Sequence, residues 1–378
     1  MRFIFIISIS ICFNSFSQDT LYARKIIQKL TSKQCFGRGY LKNGLAIAAK
    51  YISSELKSLA VKPLFSSGYF KPFQFDVNTF PNKIALKING TELIPGKDYI
   101  ISPESGSING NFRMTKHDSV TFVANEAEFV ISLKKKLTFS VAMQVANHCT
   151  IELLKSSAPK EITNAEVNVE SRLLTKYPNN NICGYIDGKE KSDSLIIFSA
   201  HYDHLGGMGK KIFFPGANDN ASGVSMVLNL AKYYSKNPPK YKTLFVFFAG
   251  EEAGLIGSKY FVDNKTIDLS KIKFLINLDL LGTGDDGIMV VNGAILTKQF
   301  DVLNNINKEK NLVKEIKKRG KAQNSDHYWF TEAGVPAFFI YTLGGPTAYH
   351  DIYDVAEKLP LTDYVDVFKL ITEFANRL

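Results

Sequence analysis

The sequence has the size and composition of an ordinary globular protein. Its 378 residues are 45% hydrophobic and 22% charged, close to globular averages, which excludes a globally disordered chain. The formal net charge is +10, but the densest basic runs, at 134–136 and 317–319, do not alternate with aromatic residues, so we do not expect nucleic-acid binding.

The first seventeen residues are typical of a secretory signal. Arg2 supplies a short positive end, an almost wholly apolar run covers 3–13, and Ser15 and Ser17 are small residues at the positions that a signal peptidase reads. The apolar run is too short to span a bilayer comfortably, and no later segment is long and apolar enough for a membrane helix. We therefore predict a signal peptide over 1–17, a secreted or periplasmic protein, and no stable membrane insertion.

The next two regions differ in texture. Residues 19–67 carry apolar side chains at helical spacing until Pro63. Residues 68–177 consist of short apolar runs separated by turn dipeptides, and Asn89-Gly90 between two such runs predicts a hairpin. This stretch is predicted to be an inserted β-rich subdomain, with the main domain built from 18–67 and 178–378.

The C-terminal region alternates short apolar runs with helical patterns, which is typical of βαβ units. We predict an α/β fold, a doubly wound and mostly parallel sheet with helices on both faces. The clearest strands are 195–200, 243–249, 274–278 and 337–341, and the clearest helices are 221–234 and 361–377.

Histidines and carboxylates follow these predicted strands or precede the first predicted helix of this region. Because ligands bind beyond the carboxyl ends of parallel strands, we expect these side chains to converge at one edge of the sheet. Imidazole and carboxylate without cysteine suit zinc in a catalytic site. Two metals need a bridging carboxylate and further ligands on each side, and five ligands are enough. The candidates are His201, Asp219, one of Glu251 and Glu252, Asp279 and His350.

Five runs resemble, in order, the motifs of the M28 family of zinc peptidases. They are SAHYDHLG at 199–206, GANDNASG at 216–223, FAGEEAG at 248–254, NLD at 277–279 and YH at 349–350. Residues 19–67, with FGRG at 36–39, are similar to the N-terminal segment of the family. The resemblance covers about two thirds of the chain.

The resemblance implies two zinc ions per chain, with a defined set of ligands. It implies that His201 and Asp279 hold one zinc ion and that Glu252 and His350 hold the other. Asp219 is the implied bridge between them.

The resemblance also implies roles for residues beside the metals. Glu251 is the implied general base, and Asp203 is implied to accept a hydrogen bond from His201 and fix its ring. Tyr349 is implied as a donor to the oxyanion. The tripeptide 325–327 is expected beside the site without ligating, and His204 is given no metal role.

The implied function is that of a secreted zinc exopeptidase that hydrolyses N-terminal peptide bonds, an aminopeptidase with peptide substrates. Three alternatives stay open: a carboxypeptidase or dipeptidase on the same metal core, a single-zinc glutaminyl cyclase, and a non-catalytic binding protein. The stretch 68–177 stands where many relatives carry a protease-associated domain, and a family-specific insert is the other reading of it.

Overall fold

The computed structural model describes residues 20–124 and 128–378. The predicted signal peptide at 1–17 lies outside the described residues. Within those two ranges, no helix is both long enough and apolar enough to cross a membrane.

Seven α-helices are found in the described ranges, two before the inserted β-rich stretch and five after it. They are α1 (Thr20–Leu30), α2 (Gly44–Ser58), α3 (Gly223–Lys236), α4 (Ile256–Asp263), α5 (Thr297–Lys310), α6 (His327–Glu332) and α7 (Tyr364–Arg377).

The strands of the described ranges fall into one large sheet and three small ones. They are β1 (Lys62–Pro63), β2 (Phe70–Thr79), β3 (Ala85–Ile88), β4 (Thr91–Glu92), β5 (Tyr99–Ile101), β6 (Ile108–Arg113), β7 (Thr115–Lys116), β8 (Thr121–Ala124), β9 (Phe129–Lys134), β10 (Cys149–Leu154), β11 (Asn164–Val169), β12 (Arg172–Ile186), β13 (Leu195–His201), β14 (Gly207–Met208), β15 (Ile212–Phe213), β16 (Lys242–Phe248), β17 (Ile272–Leu278), β18 (Ile288–Val291), β19 (Ile316–Arg319) and β20 (Ala337–Thr342).

The large sheet has nine strands in the order β1-β12-β16-β13-β17-β20-β18-β19, with β2 paired to β12. Its centre, from β16 to β20, is parallel. Antiparallel pairs flank that centre, β12 with β16 on one side and β18 with β20 on the other. All four predicted strands are present with ends shifted by at most two residues, and the predicted α/β fold is confirmed.

Helices cover both faces of the large sheet. On β13, Ile196 and Phe198 belong to one buried cluster together with residues of α1, α2, α3 and α7. Ile197 between them belongs to a second cluster with Phe261 of α4 and Phe330 of α6. Side chains of a strand alternate between faces, so a strand buried on both faces reads as a continuous apolar run. Each such side chain contributes about 1.5–3 kcal/mol on burial.

The inserted stretch forms two small sheets with their own apolar core. Their strand orders are β5-β10-β9-β8-β7 and β4-β3-β11-β6. The predicted hairpin at Asn89-Gly90 is present, with Ile88 opposite Thr91. The large sheet reaches into the predicted insert, because β2 pairs with β12 from Phe70 to Thr79.

Candidate metal centre

Three of the strand ends at the centre of the large sheet carry the predicted side chains. His201 is the last residue of β13, Asp279 follows β17 directly, and Glu251 and Glu252 lie just beyond β16. The pairing of β13 with β16 sets His201 opposite Phe248. The parallel register therefore brings these groups to the same edge of the sheet.

Asp219 and His350 reach this edge from loops. Asp219 lies in a kinked turn at Ala217–Ser222, immediately before α3, and its own backbone is not helical (φ −104°, ψ 101°). Its backbone N–H donates to the carboxylate of Asp354 at 3.0 Å, and its carbonyl oxygen accepts from the guanidinium of Arg38 at 3.0 Å. The main chain on both sides of the Asp219 side chain is therefore held by buried charged groups.

Asp219 lies between two histidines. Its Oδ1 is 3.4 Å from Nε2 of His201 and its Oδ2 is 3.0 Å from Nε2 of His350. Oδ2 of Asp279 is 3.3 Å from the same nitrogen of His201, and Oε2 of Glu252 is 3.3 Å from that of His350. The five side chains thus form two groups that share Asp219.

The donor set fits a divalent cation. His201, Asp219 and Asp279 offer ligand atoms within 4.8 Å of one another, and all three are buried. Oδ1 of Asp279 is also buried and has no hydrogen-bond partner among the described residues. A buried carboxylate oxygen without a donor is costly unless a cation or a proton meets it. Imidazole and carboxylate ligands suit zinc.

The buried groups of the site shift the pKa values of one another. Burial raises the pKa of Glu251 well above its ordinary value, and the nearby charge of Glu252 adds to this. Burial also acts to raise the pKa of Asp219, but hydrogen bonds from His201 and His350 outweigh it and hold that pKa well below its usual range. For His350, burial lowers the pKa, yet the carboxylates of Glu252 and Asp219 prevail and raise it to about 9. Negative charge is therefore in excess, which favours cations.

Asp203 contacts the site differently from the expectation. Nδ1 of His201 lies 3.2 Å from the backbone carbonyl oxygen of Asp203 but 3.8 Å from its carboxylate. The carboxylate instead accepts the backbone N–H groups of Glu251 and Glu252, at 3.3 Å and 3.4 Å. A fully buried carboxylate needs donors, and the turn after β16 offers two. The main chain therefore orients His201, and the Asp203 side chain supports the turn that carries both glutamates.

The sequence predicts no metal role for His204 and gives no partner for it, whereas the structure places it against Glu252. It is buried, and its Nδ1 is 2.6 Å from Oε1 of Glu252, while Oε2 of Glu252 faces His350. An imidazole N–H that donates to a carboxylate fixes the orientation of that carboxylate. The one sequence signal was its place three residues after His201 in the same motif.

The remaining predicted residues surround the same site. The hydroxyl of Ser325 accepts from the amide of Asn277 at 2.8 Å and lies 3.5 Å from Asp279. Burial raises the pKa of the neighbouring Asp326 to about 7. The ring of Tyr349 is 42% exposed and stacks on the imidazole of His350, with 3.9 Å between centroids.

A cavity of about 190 Å³ opens onto these side chains. One part of its wall is acidic or imidazole, another part is apolar or aromatic, and Asn324 adds a neutral amide; none of its described lining residues is a lysine or an arginine. The lining consists of His201, Asp219, Glu251, Asp279, Leu280, Asn324, Phe339, Tyr341, Tyr349 and His350.

Known proteins resemble part of this sequence, and solved structures share its fold. Aminopeptidase YwaD of Bacillus subtilis (strain 168) is 34% identical over 122 residues, which are 31% of this chain and 25% of that protein. The matched segment thus spans about a quarter of that relative's length.

Two solved structures match nearly the whole chain. An aminopeptidase from Aneurinibacillus sp. has a TM-score of 0.65 at 21% identity, covering 95% of this chain and 93% of that one. A peptidase M28 precursor from Shewanella amazonensis has a TM-score of 0.73 at 15% identity, with the same coverage. Both share its fold. The sequence profile of peptidase family M28 matches residues 181–375. Because this match covers more than half of the chain, the protein belongs to peptidase family M28.

Proposed function

We propose that this protein is a zinc-dependent aminopeptidase that hydrolyses the first peptide bond of its substrates. The observation that carries the proposal is the position of Asp219, with one carboxylate oxygen 3.4 Å from His201 and the other 3.0 Å from His350. A carboxylate with each oxygen in a separate group of ligands is what two neighbouring metal ions require.

Two zinc ions fit the two groups of side chains. His201 and Asp279 would hold one ion, Glu252 and His350 would hold the other, and Asp219 would be shared between them. When bound, zinc supplies Lewis-acid chemistry, because it makes a water molecule more acidic and polarises the scissile carbonyl group.

Glu251 is the general base of the proposed reaction. Its carboxylate lines the cavity and takes a proton from the attacking water as the oxygen adds to the carbonyl carbon. The bond from that carbon to the amide nitrogen then breaks, and Glu251 returns the proton to the leaving amine. Tyr349 lines the same cavity. Its hydroxyl group donates a hydrogen bond to the carbonyl oxygen as negative charge develops there. The carboxylate of Asp203 accepts the backbone N–H groups of the two glutamates and so holds the turn that carries them.

The character of the cavity favours a free α-amine over a free α-carboxylate. Recognition of a terminal carboxylate usually relies on arginine or lysine, and the described lining residues include neither. Carboxylates attract an ammonium group instead. The apolar part of the wall, with Leu280, Phe339 and Tyr341, fits an apolar first side chain.

The alternatives predict different behaviour. A carboxypeptidase or dipeptidase needs a cation near the cavity. A glutaminyl cyclase with one zinc ion leaves one of the two groups around Asp219 without a metal. A binding protein has no need of the acidic residue Glu251 beside the ligands. We further propose that residues 1–17 direct the protein to a secreted or periplasmic location.

The test combines metal analysis with a substrate panel on the same purified sample. Elemental analysis is expected to find close to two zinc ions per chain. Leucyl substrates with a free amine are expected to be cleaved, and their N-acetylated forms are expected to resist. Equal cleavage of both forms, or preference for a free carboxylate with a blocked amine, contradicts the aminopeptidase assignment. Absence of bound metal together with no activation by zinc or cobalt contradicts the metal centre.

A further inference from the structure

Phe139 of the inserted β-rich stretch contacts a residue of the metal centre, His350. Its carbonyl oxygen is 3.0 Å from Nδ1 of His350, and its backbone N–H donates to the carbonyl oxygen of His350 at 2.9 Å. The main chain of Phe139 thus contacts both the ring and the main chain of His350. A carbonyl oxygen can only accept, so Nδ1 of His350 carries the hydrogen in this contact. In the neutral ring, the lone pair then belongs to Nε2, which faces Asp219 and Glu252.

Phe139 is itself held in place by packing. Its ring stacks on that of Phe214, with centroids 4.5 Å apart and an interplanar angle of 5°. Three residues earlier, Lys136 donates to the carbonyl oxygen of Thr347 at 3.0 Å and lies 3.7 Å from the carboxylate of Asp351. The segment 136–139 therefore contacts the His350 loop before the histidine, at Thr347, and after it, at Asp351.

The insert also holds the loop between His201 and Asp219. Leu205, Met208 and Phe214 of that loop are buried in the core of the insert rather than in that of the large sheet. The backbone N–H of Gly209 donates to the carbonyl oxygen of Phe80 at 2.7 Å. The loop that leads from His201 to Asp219 and the loop that carries His350 are consequently both packed against the inserted stretch.

We propose that segment 136–139 of the insert is a positioning element of the metal centre, in which the Phe139 main chain sets the ring orientation and the tautomer of His350. The inference rests on the proposed role of His350 as a zinc ligand. Histidine ligands are generally fixed by an acceptor on the other ring nitrogen, and loss of such a partner typically weakens metal binding 10- to 100-fold. The insert is therefore part of the site, because its main chain orients one of the proposed ligands.

The experiment compares three variants of the full chain. Phe139→Pro removes the ring and the N–H that donates to His350, so its retained carbonyl oxygen is no longer held against Nδ1 of His350, whereas Phe139→Ala removes only the ring. Phe112→Ala is the matched control, because Phe112 packs on Phe129 inside the insert at 5.4 Å. Zinc affinity is measured by competition with a chromophoric chelator. Phe139→Pro is expected to bind one of two zinc ions about 10- to 100-fold more weakly. Phe139→Ala should lose less, and the control should stay within about twofold.

A second readout separates this inference from the proposed function. In unaltered protein without metal, NMR is expected to show a slowly exchanging imidazole N–H signal that disappears in His350→Gln. Unaltered protein with that signal but without zinc binding overturns the proposed function. Zinc binding without that signal overturns the inference. A wild-type zinc affinity in Phe139→Pro also overturns it, and so does a loss of zinc affinity in Phe112→Ala equal to that in Phe139→Pro. If Phe139→Pro does not melt cooperatively, Phe139→Ala combined with Lys136→Met decides by the same criteria.

Discussion

Replacing Arg38 with methionine tests how strongly the N-terminal segment stabilises the loop that carries Asp219. The guanidinium is completely buried and donates to four carbonyl oxygens at 3.0 Å or less. These belong to Tyr202 at 2.9 Å, Pro215 at 2.7 Å, Gly216 at 2.9 Å and Asp219 at 3.0 Å. The variant leaves all four oxygens without this donor.

The magnitude follows from two opposed effects. A hydrogen bond from a charged donor contributes about 1.5–3 kcal/mol, which suggests about 6–12 kcal/mol for four. Burial of the cation opposes this, and it also lowers the pKa of Arg38. Methionine removes that cost of several kcal/mol, so we expect the free energy of unfolding to fall by about 3–5 kcal/mol. Arg38→Lys keeps a charge but has only three donors, so its loss should be at least half as large.

The assay is urea and thermal unfolding of the metal-stripped protein, repeated with zinc. The entropy of unfolding is about 2.1 cal/mol/K per residue, so for 378 residues a loss of about 3–5 kcal/mol corresponds to a fall of roughly 4–6 °C in the melting temperature. Lys42→Met is the matched control, because Lys42 lies in the same segment, is exposed, and makes one hydrogen bond to the carbonyl oxygen of Lys210 and one contact with the Phe36 ring at 3.9 Å. It should change the free energy by less than about 1 kcal/mol. A value for Arg38→Met within about 1 kcal/mol of the wild type refutes the reasoning.

Three further predictions concern single side chains. Glu251→Gln should keep zinc but lose about a hundredfold or more in turnover, whereas Glu252→Gln should lose zinc, and identical metal content in the two variants contradicts this division. His204→Phe removes the donor to Glu252, so zinc affinity in chelator competition should fall about 10- to 100-fold, and unchanged affinity contradicts the contact. Burial lowers the pKa of His327 to about 4 from the ordinary 6.5. Its depressed pKa makes the folded state lose up to about 3 kcal/mol as the pH falls from about 6.5 to 4. His327→Phe should remove that contribution, so the difference in unfolding free energy between the variant and the wild type should change by about this amount across that range, and a constant difference contradicts the assignment.

Much of the large sheet could be predicted from the sequence. The strands of its parallel centre are buried on both faces, so each reads as a mostly apolar run, such as 195–200 of β13 with Ser199 as its one polar residue. A polar group at the end of such a run stands out. His201 and Asp279 were therefore recognisable as site residues, and the shared strand direction explains why they meet.

Contacts made by the main chain were decided only by the tertiary structure. Backbone donors and acceptors are the same at every position, so no residue type signals that Phe139 accepts from His350 across 211 positions. The same holds for the carbonyl oxygen of Asp203, which took the place expected for its side chain beside His201. The lengths of β2 and β12 could not be predicted either. The two strands pair with each other, and their partners lie about a hundred residues apart along the chain.

The sequence by itself thus determined which side chains gather at the strand ends, because burial and strand direction are written in local residue patterns. The tertiary structure alone decided how those side chains are oriented. His204 on Glu252, Arg38 beneath Asp219 and Phe139 on His350 join segments far apart in the chain. Such pairings depend on how distant segments, among them the insert and the N-terminal segment, pack against the sheet. Local patterns of apolar and polar residues do not predict that packing.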